Sequence, residues 1–379
     1  MNLLTYSTGT ALPDRLPQIS DKTSIKSSHR NTKIFFISAS ILSVVVAFFY
    51  GWMMNSQIGP LLTAVAFLPL TVLITITLFV TPRSEVSLLL RFIAVLWGGV
   101  GATNLTLLIV SVLTKIFGTP DLNTTVVVQA AIVEEFSKGI FIFIIFFFFK
   151  HLVRTPLAGA TLGIMVGTGF AFIENIMYFN SAYQQGGWNS LWTTVALRAG
   201  MSFFLHPMAT MCTGLFIGYV VNKRNTLKLW KKLVFLDIGL LSAMTVHGMW
   251  NGMASLFTVS GKWNVLYLFF WVPFVIIMII AVLMIRKNYM EYKTSIIMSS
   301  ARRGYITINQ AEIMTDRKLR KKLYKSGQDS VLIQWESSLF RVQYWNDSIS
   351  NARKERKIRR LNQIKSKDMI KLAQVVSVV

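Results

Sequence analysis

Runs of about 20 apolar residues recur through the first three quarters of this 379-residue chain, and that recurrence leaves few folds open. Such a run is long enough to cross roughly 30 Å of hydrocarbon as a helix. Inside a bilayer no water pairs with stray backbone groups, so a chain of this kind closes its hydrogen bonds within helices. Eight runs are present: roughly Ile34 to Met54, Leu61 to Val80, Leu88 to Leu113, Val126 to Phe149, Leu157 to Phe179, Val195 to Val221, Leu233 to Phe257 and Val265 to Ile285. With 53% hydrophobic and only 15% charged residues, a soluble domain could not hide this apolar surface. The expected fold is all-α: a polytopic membrane protein of about eight transmembrane helices.

The basic residues fall in alternate connections. Lys22, Lys26, Arg30 and Lys33 precede the first run, Arg83 follows the second, and Lys150 and Arg154 follow the fourth. Lys223, Arg224, Lys228, Lys231 and Lys232 follow the sixth, whereas the other connections hold little beyond Lys115 and Lys262. The positive-inside rule then puts both termini in the cytoplasm. The expected organisation is a cytoplasmic segment 1–33, a transmembrane domain 34–285 and a basic, mostly helical tail 286–379.

The tail holds 21 Lys and Arg against 8 Asp and Glu, more than half of the net charge of +23. Helices are expected at Gln310 to Ser326, ended by Gly327, and at Ser350 to Ala373, where apolar positions alternate with a basic face. Such helices lie on anionic lipid or dock a partner. No nucleic-acid-binding module accompanies the charge, so nucleic acid is not the expected partner. Cys212 is the only cysteine, which rules out an intramolecular disulfide.

Against this apolar background, four polar clusters stand out. The fourth run contains Glu134, Glu135 and Lys138, with Glu134 and Lys138 four apart on one face and Glu135 about 100° round the helix. A carboxylate at mid-bilayer costs roughly 2.5–3.5 kcal/mol on insertion scales, so a pair of them points to a working site. The fifth run carries Phe170, Glu174, Asn175 and Tyr178; the sixth carries Arg198, Ser202, His206 and Thr210 at steps of four; the seventh carries His247 and Asn251. At 1.5 Å per residue, Glu134 lies about 12 Å below the outer end of its run, Glu174 about 8 Å, His206 about 17 Å and His247 about 15 Å. The four groups can therefore meet, in a site opening towards the extracytoplasmic side.

Two features favour close helix approach there. Gly159, Gly163, Gly167 and Ala171 form a stripe of small residues on the fifth run. Pro207 lacks an N–H and crowds the carbonyl of Phe203, so the sixth helix is expected to bend at the site. Arg91 and Asp237 lie near the cytoplasmic ends of their runs, where snorkelling or neighbouring lysines would accommodate them.

Two carboxylates in different surroundings can divide acid and base work, with histidine moving protons and His or Asn donating to an oxyanion. These are the parts of a site that activates water against an amide. A zinc site of the H-E-x-x-H kind is absent, and the lone intramembrane Asp237 does not make an aspartate pair. Gly200-Met201-Ser202 is only a short match to a serine-protease motif. A proton-coupled transporter or channel would need polar groups through the whole bilayer, and the half beneath the clusters is almost free of them. A non-catalytic membrane scaffold would use the same cleft to hold a client.

Taken together, Glu134-Glu135-x-x-Lys138, Phe170-x-x-x-Glu174-Asn175, His206-x-x-x-Thr210 and His247-x-x-Trp250-Asn251 resemble the motif set of the PrsW family of intramembrane proteases. That family is related to the type II CAAX prenyl proteases and other glutamic-type membrane endopeptidases. The resemblance covers roughly Val126 to Phe257. It implies an endopeptidase of the bacterial cell membrane that cuts a membrane protein, such as a single-span anti-sigma factor, on its extracytoplasmic side. By the same resemblance Glu134 activates water with Glu135 in support, His206 assists, and His247 with Asn251 stabilises the oxyanion. Where the CAAX relatives have His, this chain has Glu174, so the water-activating group is composed differently. Lys138, Asn175 and Arg198 are expected to support the site. The analogy points to a mechanism without a cofactor; zinc stays open, with Glu134, Glu174, His206 and His247 as its candidate ligands.

Overall fold

A computed structural model describes residues 57–121, 124–260, 264–316, 318–320 and 329–350. Among these residues all regular structure is helical. They fall into two compact units, one up to Tyr289 and one from Met290 onwards.

The first unit is a bundle of long apolar helices: α1 (Gly59–Val80), α2 (Leu88–Leu96), α3 (Thr103–Phe117), α4 (Ala130–Phe148), α5 (Pro156–Val195), α6 (Leu205–Asn222), α7 (Leu229–Ser260) and the start of α8 (Asn264–Arg302). A six-residue π-helix, Trp97–Ala102, joins α2 to α3, and a second, Thr124–Gln129, leads into α4. Five helical stretches among the described residues are long and apolar enough to cross a membrane. The first expected run, Ile34 to Met54, lies outside the described residues. The α4 segment forms as expected, but its three charges set it apart from an ordinary span. One of the five, Pro156–Asn222, is interrupted at Gly186 and Gly187, whose backbones are not helical. Gly187 sits at φ 61°, ψ −151°, which favours glycine, so the spanning part of α5 ends just before this pair.

Helix α5 is the hub, because glycines on two of its faces admit neighbouring backbones. On one side a Cβ at Gly159 would stand 2.0 Å from Gly214 O, at Gly163 2.3 Å from Thr210 O, and at Gly167 2.3 Å from His206 O. The partner positions fall as the glycine numbers rise, so α5 and α6 run antiparallel in backbone contact along the expected stripe. Gly169, two residues on and so on the opposite side, would place a Cβ 2.0 Å from Val95 O, and Gly98 one 1.9 Å from Val166 O. Around these crossings Ile142, Leu162, Met165, Val166, Ile217 and Val220 form one buried core, and Leu62, Ala66, Ile176 and Phe179 form another.

Two expectations are corrected here. The sixth run is not one bent helix: a π-helix, Ala196–Met201, ends at Ser202, and α6 starts afresh at Leu205. Pro207 is the third residue of α6, where a backbone N–H has no intrahelical partner to lose, so it begins the helix and does not kink it. Arg91 does not snorkel, since it is 3% exposed. Its guanidinium donates to the carbonyls of Thr77 (2.9 Å), Thr81 (2.7 Å) and Val86 (3.1 Å), and so closes the C-terminal end of α1.

The second unit has its own core of Ile297, Ile306, Ala311, Met314, Leu332, Trp335 and Leu339, drawn from the end of α8, from α9 (Ile308–Thr315) and from α10 (Asp329–Ser350). A capping box starts α9, with the Thr307 hydroxyl accepting from Gln310 N and the Gln310 side chain accepting from Thr307 N. Helix α9 starts near the expected place but stops at Thr315, before Asp316, whose carboxylate accepts from Leu319 N. Gly327 and the expected helix Ser350 to Ala373 lie outside the described residues. In the core of this unit, buried Glu336 pairs with Lys293 at 2.6 Å and with Arg320.

Candidate active site

Helices α4, α5, α6 and α7, with the π-helix Ala196–Met201, bring the predicted polar residues to one place. On α4, positions three and four apart both lie next to Lys138, so its side chain bridges the two glutamates: Nζ is 2.7 Å from Glu135 Oε1 and 3.2 Å from Glu134 Oε2. It also meets His206 Nδ1 at 2.9 Å and lies over the Phe170 ring, 3.9 Å from its centroid.

The paired glutamates have different surroundings. Glu135 is fully buried: one oxygen takes the Lys138 and His247 Nδ1 contacts (2.7 and 3.1 Å), the other accepts from Thr210 Oγ1 (2.9 Å). Glu134 keeps 11% of its side chain exposed and lines a cavity of about 210 Å³. Glu174, Arg198, His206, His247 and Asn251 line the same cavity.

Each histidine is held by a carboxylate on one ring nitrogen. His206 Nε2 is 2.6 Å from Glu174 Oε2, and His247 Nδ1 is 3.1 Å from Glu135 Oε1. Because Lys138 has only hydrogens to offer, His206 Nδ1 accepts and Nε2–H donates to Glu174. The remaining nitrogens, His206 Nδ1 and His247 Nε2, face Glu134 Oε2 at 3.9 and 3.8 Å. Behind Glu174, Arg198 donates to its Oε2 (2.5 Å) and to Asn175 Oδ1 (2.9 Å), and stacks over Tyr178 at 3.9 Å.

Glu134, His206 and His247 each offer one donor atom within 4.8 Å of the others, a set that could hold a metal ion. Two imidazoles and a carboxylate are donors of the kind zinc takes, but Lys138 Nζ already contacts two of the three. Glu174, also expected in that set, faces the far nitrogen of His206 and orients the ring from behind. The Ser202 hydroxyl is engaged with the carbonyls of Leu197 and Arg198.

Every residue of the four polar clusters lies in or against this site. Two contributors carried weaker signals. Thr210 reads as one more polar residue until it is seen to donate to the buried Glu135, and Phe170 reads as core until Lys138 lies on its face. Their spacing of four from His206 and Glu174 was the available clue.

The sequence model of a family described as PrsW family intramembrane metalloprotease matches residues 86–278, about half of the chain. No curated protein and no solved structure matches.

Proposed function

Because the chain belongs to the PrsW family of intramembrane metalloproteases, and is therefore a hydrolase of peptide bonds in the membrane, we propose that it is an endopeptidase in which Glu134 activates the attacking water. The observation that carries this reading is the asymmetry of the glutamate pair. Glu135 is sealed behind three partners, while Glu134 reaches the cavity with two histidine nitrogens in front of it.

In the proposed reaction a water between Glu134 Oε2 and His247 Nε2 gives a proton to Glu134 as its oxygen bonds to the scissile carbonyl carbon. The carbonyl oxygen becomes an oxyanion. The Asn251 amide and His247, when it carries hydrogen on both nitrogens with Nδ1–H on Glu135, donate to that oxyanion. Collapse breaks the C–N bond, and Glu134 returns the proton to the leaving amine. Glu174 and Arg198 fix His206, and Lys138 keeps the carboxylates in place.

Were zinc to displace the Lys138 ammonium, Glu134, His206 and His247 would hold it, and it would supply polarisation of the carbonyl and the water.

The proposed substrate is a single-span regulator of the anti-sigma-factor kind, cut near the extracytoplasmic face of a bacterial cell membrane. In support, the cavity is bordered by Thr125 and Ser202, at the helix ends opposite the basic connections 150–154 and 223–232. The basic tail is proposed to face anionic lipid. The test compares new protein termini in membranes of cells carrying wild type, Glu134→Gln or His247→Ala at matched expression. One cut in a single-span protein, lost with both substitutions, is the expected result. No terminus depending on either residue would overturn the proposal.

A further inference from the structure

Two of the three atoms that would hold a metal ion are already turned on a cation that the chain itself supplies. The three hydrogens of Lys138 Nζ meet three acceptors: Glu135 Oε1 at 2.7 Å, His206 Nδ1 at 2.9 Å and Glu134 Oε2 at 3.2 Å. The remaining direction is covered by the Phe170 ring, whose face attracts a cation. Two carboxylate oxygens, an imidazole nitrogen and an aromatic face around a fully buried side chain make a built cation site.

His206 has no second lone pair to offer. Its Nε2 is committed to Glu174 at 2.6 Å, so Nδ1 is its sole acceptor, and Nδ1 points at Lys138. An ion bound to Nδ1 and to Glu134 Oε2 would have to stand where the ammonium stands, or push it off both. The charges give the same answer. Glu134, Glu135 and Glu174 face Lys138 and Arg198, which leaves the cluster one negative charge. A dication added to that set would leave it positive in a low-dielectric site, next to an ammonium that cannot reach water. Without Lys138 the cluster carries two negative charges, which a dication neutralises.

We infer that Lys138 is the resident cation of this site: it takes the place between Glu134 and His206 that a zinc ion needs, and so keeps the native site poor in metal. The inference concerns how the cluster balances its charge and does not depend on peptide cleavage, so it is tested by a metal readout.

The full chain is purified in detergent as wild type, His247→Ala, Lys138→Met and Lys138→Met with His247→Ala, each checked for a single size-exclusion peak. Each is equilibrated with zinc, freed of loose ion and analysed for zinc per chain by mass spectrometry; cobalt absorption in the visible reports the coordination. Wild type is expected to hold well below one zinc per chain. Lys138→Met should hold about one, with affinity at least ~100-fold tighter, and lose it again with His247→Ala. If Lys138→Met does not fold, Lys138→Gln is used, which removes the charge and keeps a donor for Glu135. Wild type that holds a full zinc dependent on His247 would overturn the inference, as would a folded neutral variant that binds zinc no better than wild type.

Discussion

Replacing Gly167 by alanine puts one methyl group into the crossing of α5 and α6 at the level of the site. The added carbon would stand 2.3 Å from His206 O, 2.5 Å from His206 C and 2.7 Å from Pro207 N. These are backbone atoms, so no side-chain rotation relieves the overlap. Ordinary contact lies roughly 1 Å further out, and α6 must move by about that much. Alanine's higher helix propensity returns about 1 kcal/mol against an overpacking cost of about 1–3 kcal/mol, so the net loss of stability is roughly 0–2 kcal/mol. The effect on rate is larger. His206 is held by contacts of 2.6 and 2.9 Å, and a misplacement of about 1 Å costs about 10²-fold. Gly159→Ala is the control: its Cβ would overlap Gly214 O at 2.0 Å, but it lies roughly 12 Å further from the site along α5. The assay follows cleavage of a membrane substrate in reconstituted vesicles, with Tm measured in detergent. Both variants should lose similar stability, with Gly167→Ala about 10²-fold slower and Gly159→Ala keeping most of its rate. Equal losses of rate at equal losses of Tm would refute the positional argument, and so would an unchanged rate in Gly167→Ala.

Glu135→Ala should cost about 3–5 kcal/mol of stability and lower Tm strongly, because it leaves the buried Lys138 short of its nearest counter-charge, whereas Glu134→Gln should abolish cleavage with a much smaller change in Tm. Arg91→Lys cannot reach the same set of carbonyls with one ammonium, and a loss of about 1–3 kcal/mol is expected in thermal unfolding with little change in zinc binding or cleavage. In the second unit, burial alone would push the Glu336 carboxyl up, but Lys293 and Arg320 outweigh it and hold the carboxyl below its ordinary value of 4.5. A group lowered on folding gives stability that is present above the unfolded value and is lost as pH falls through the folded one. Hydrogen exchange in residues 329–350, corrected for intrinsic rates, should therefore stay level from neutral pH down to about 4.5 and rise below it. Glu336→Gln should flatten that rise, and exchange that accelerated instead between pH 5 and 7 would contradict the sign.

The apolar runs determined the all-helical class, because a bilayer leaves backbone groups no partners outside a helix. The residues of the site were legible too, since charge inside a span is costly enough that Glu134, Glu135, Glu174, His206 and His247 stand out without any contact being known. The Gly159, Gly163 and Gly167 stripe announced a close helix crossing on the same grounds, because absent side chains are visible in a sequence. What periodicity could not supply was partnership. The even spacing of Arg198, Ser202, His206 and Thr210 read as one stripe on one helix, yet the chain breaks between Met201 and Leu205, and Arg198 reaches Glu174 from a separate segment. Arg91 read as a residue close enough to water to snorkel, and only the carbonyls that α1 leaves open at its end explain why it is buried. Glu134 and Glu135 are adjacent and identical in the sequence. The tertiary structure alone makes Glu135 a sealed anchor and Glu134 a cavity carboxylate: the step of about 100° between them separates their directions, and it is the packing of α6 and α7 that puts Thr210 and His247 against Glu135 and the cavity against Glu134.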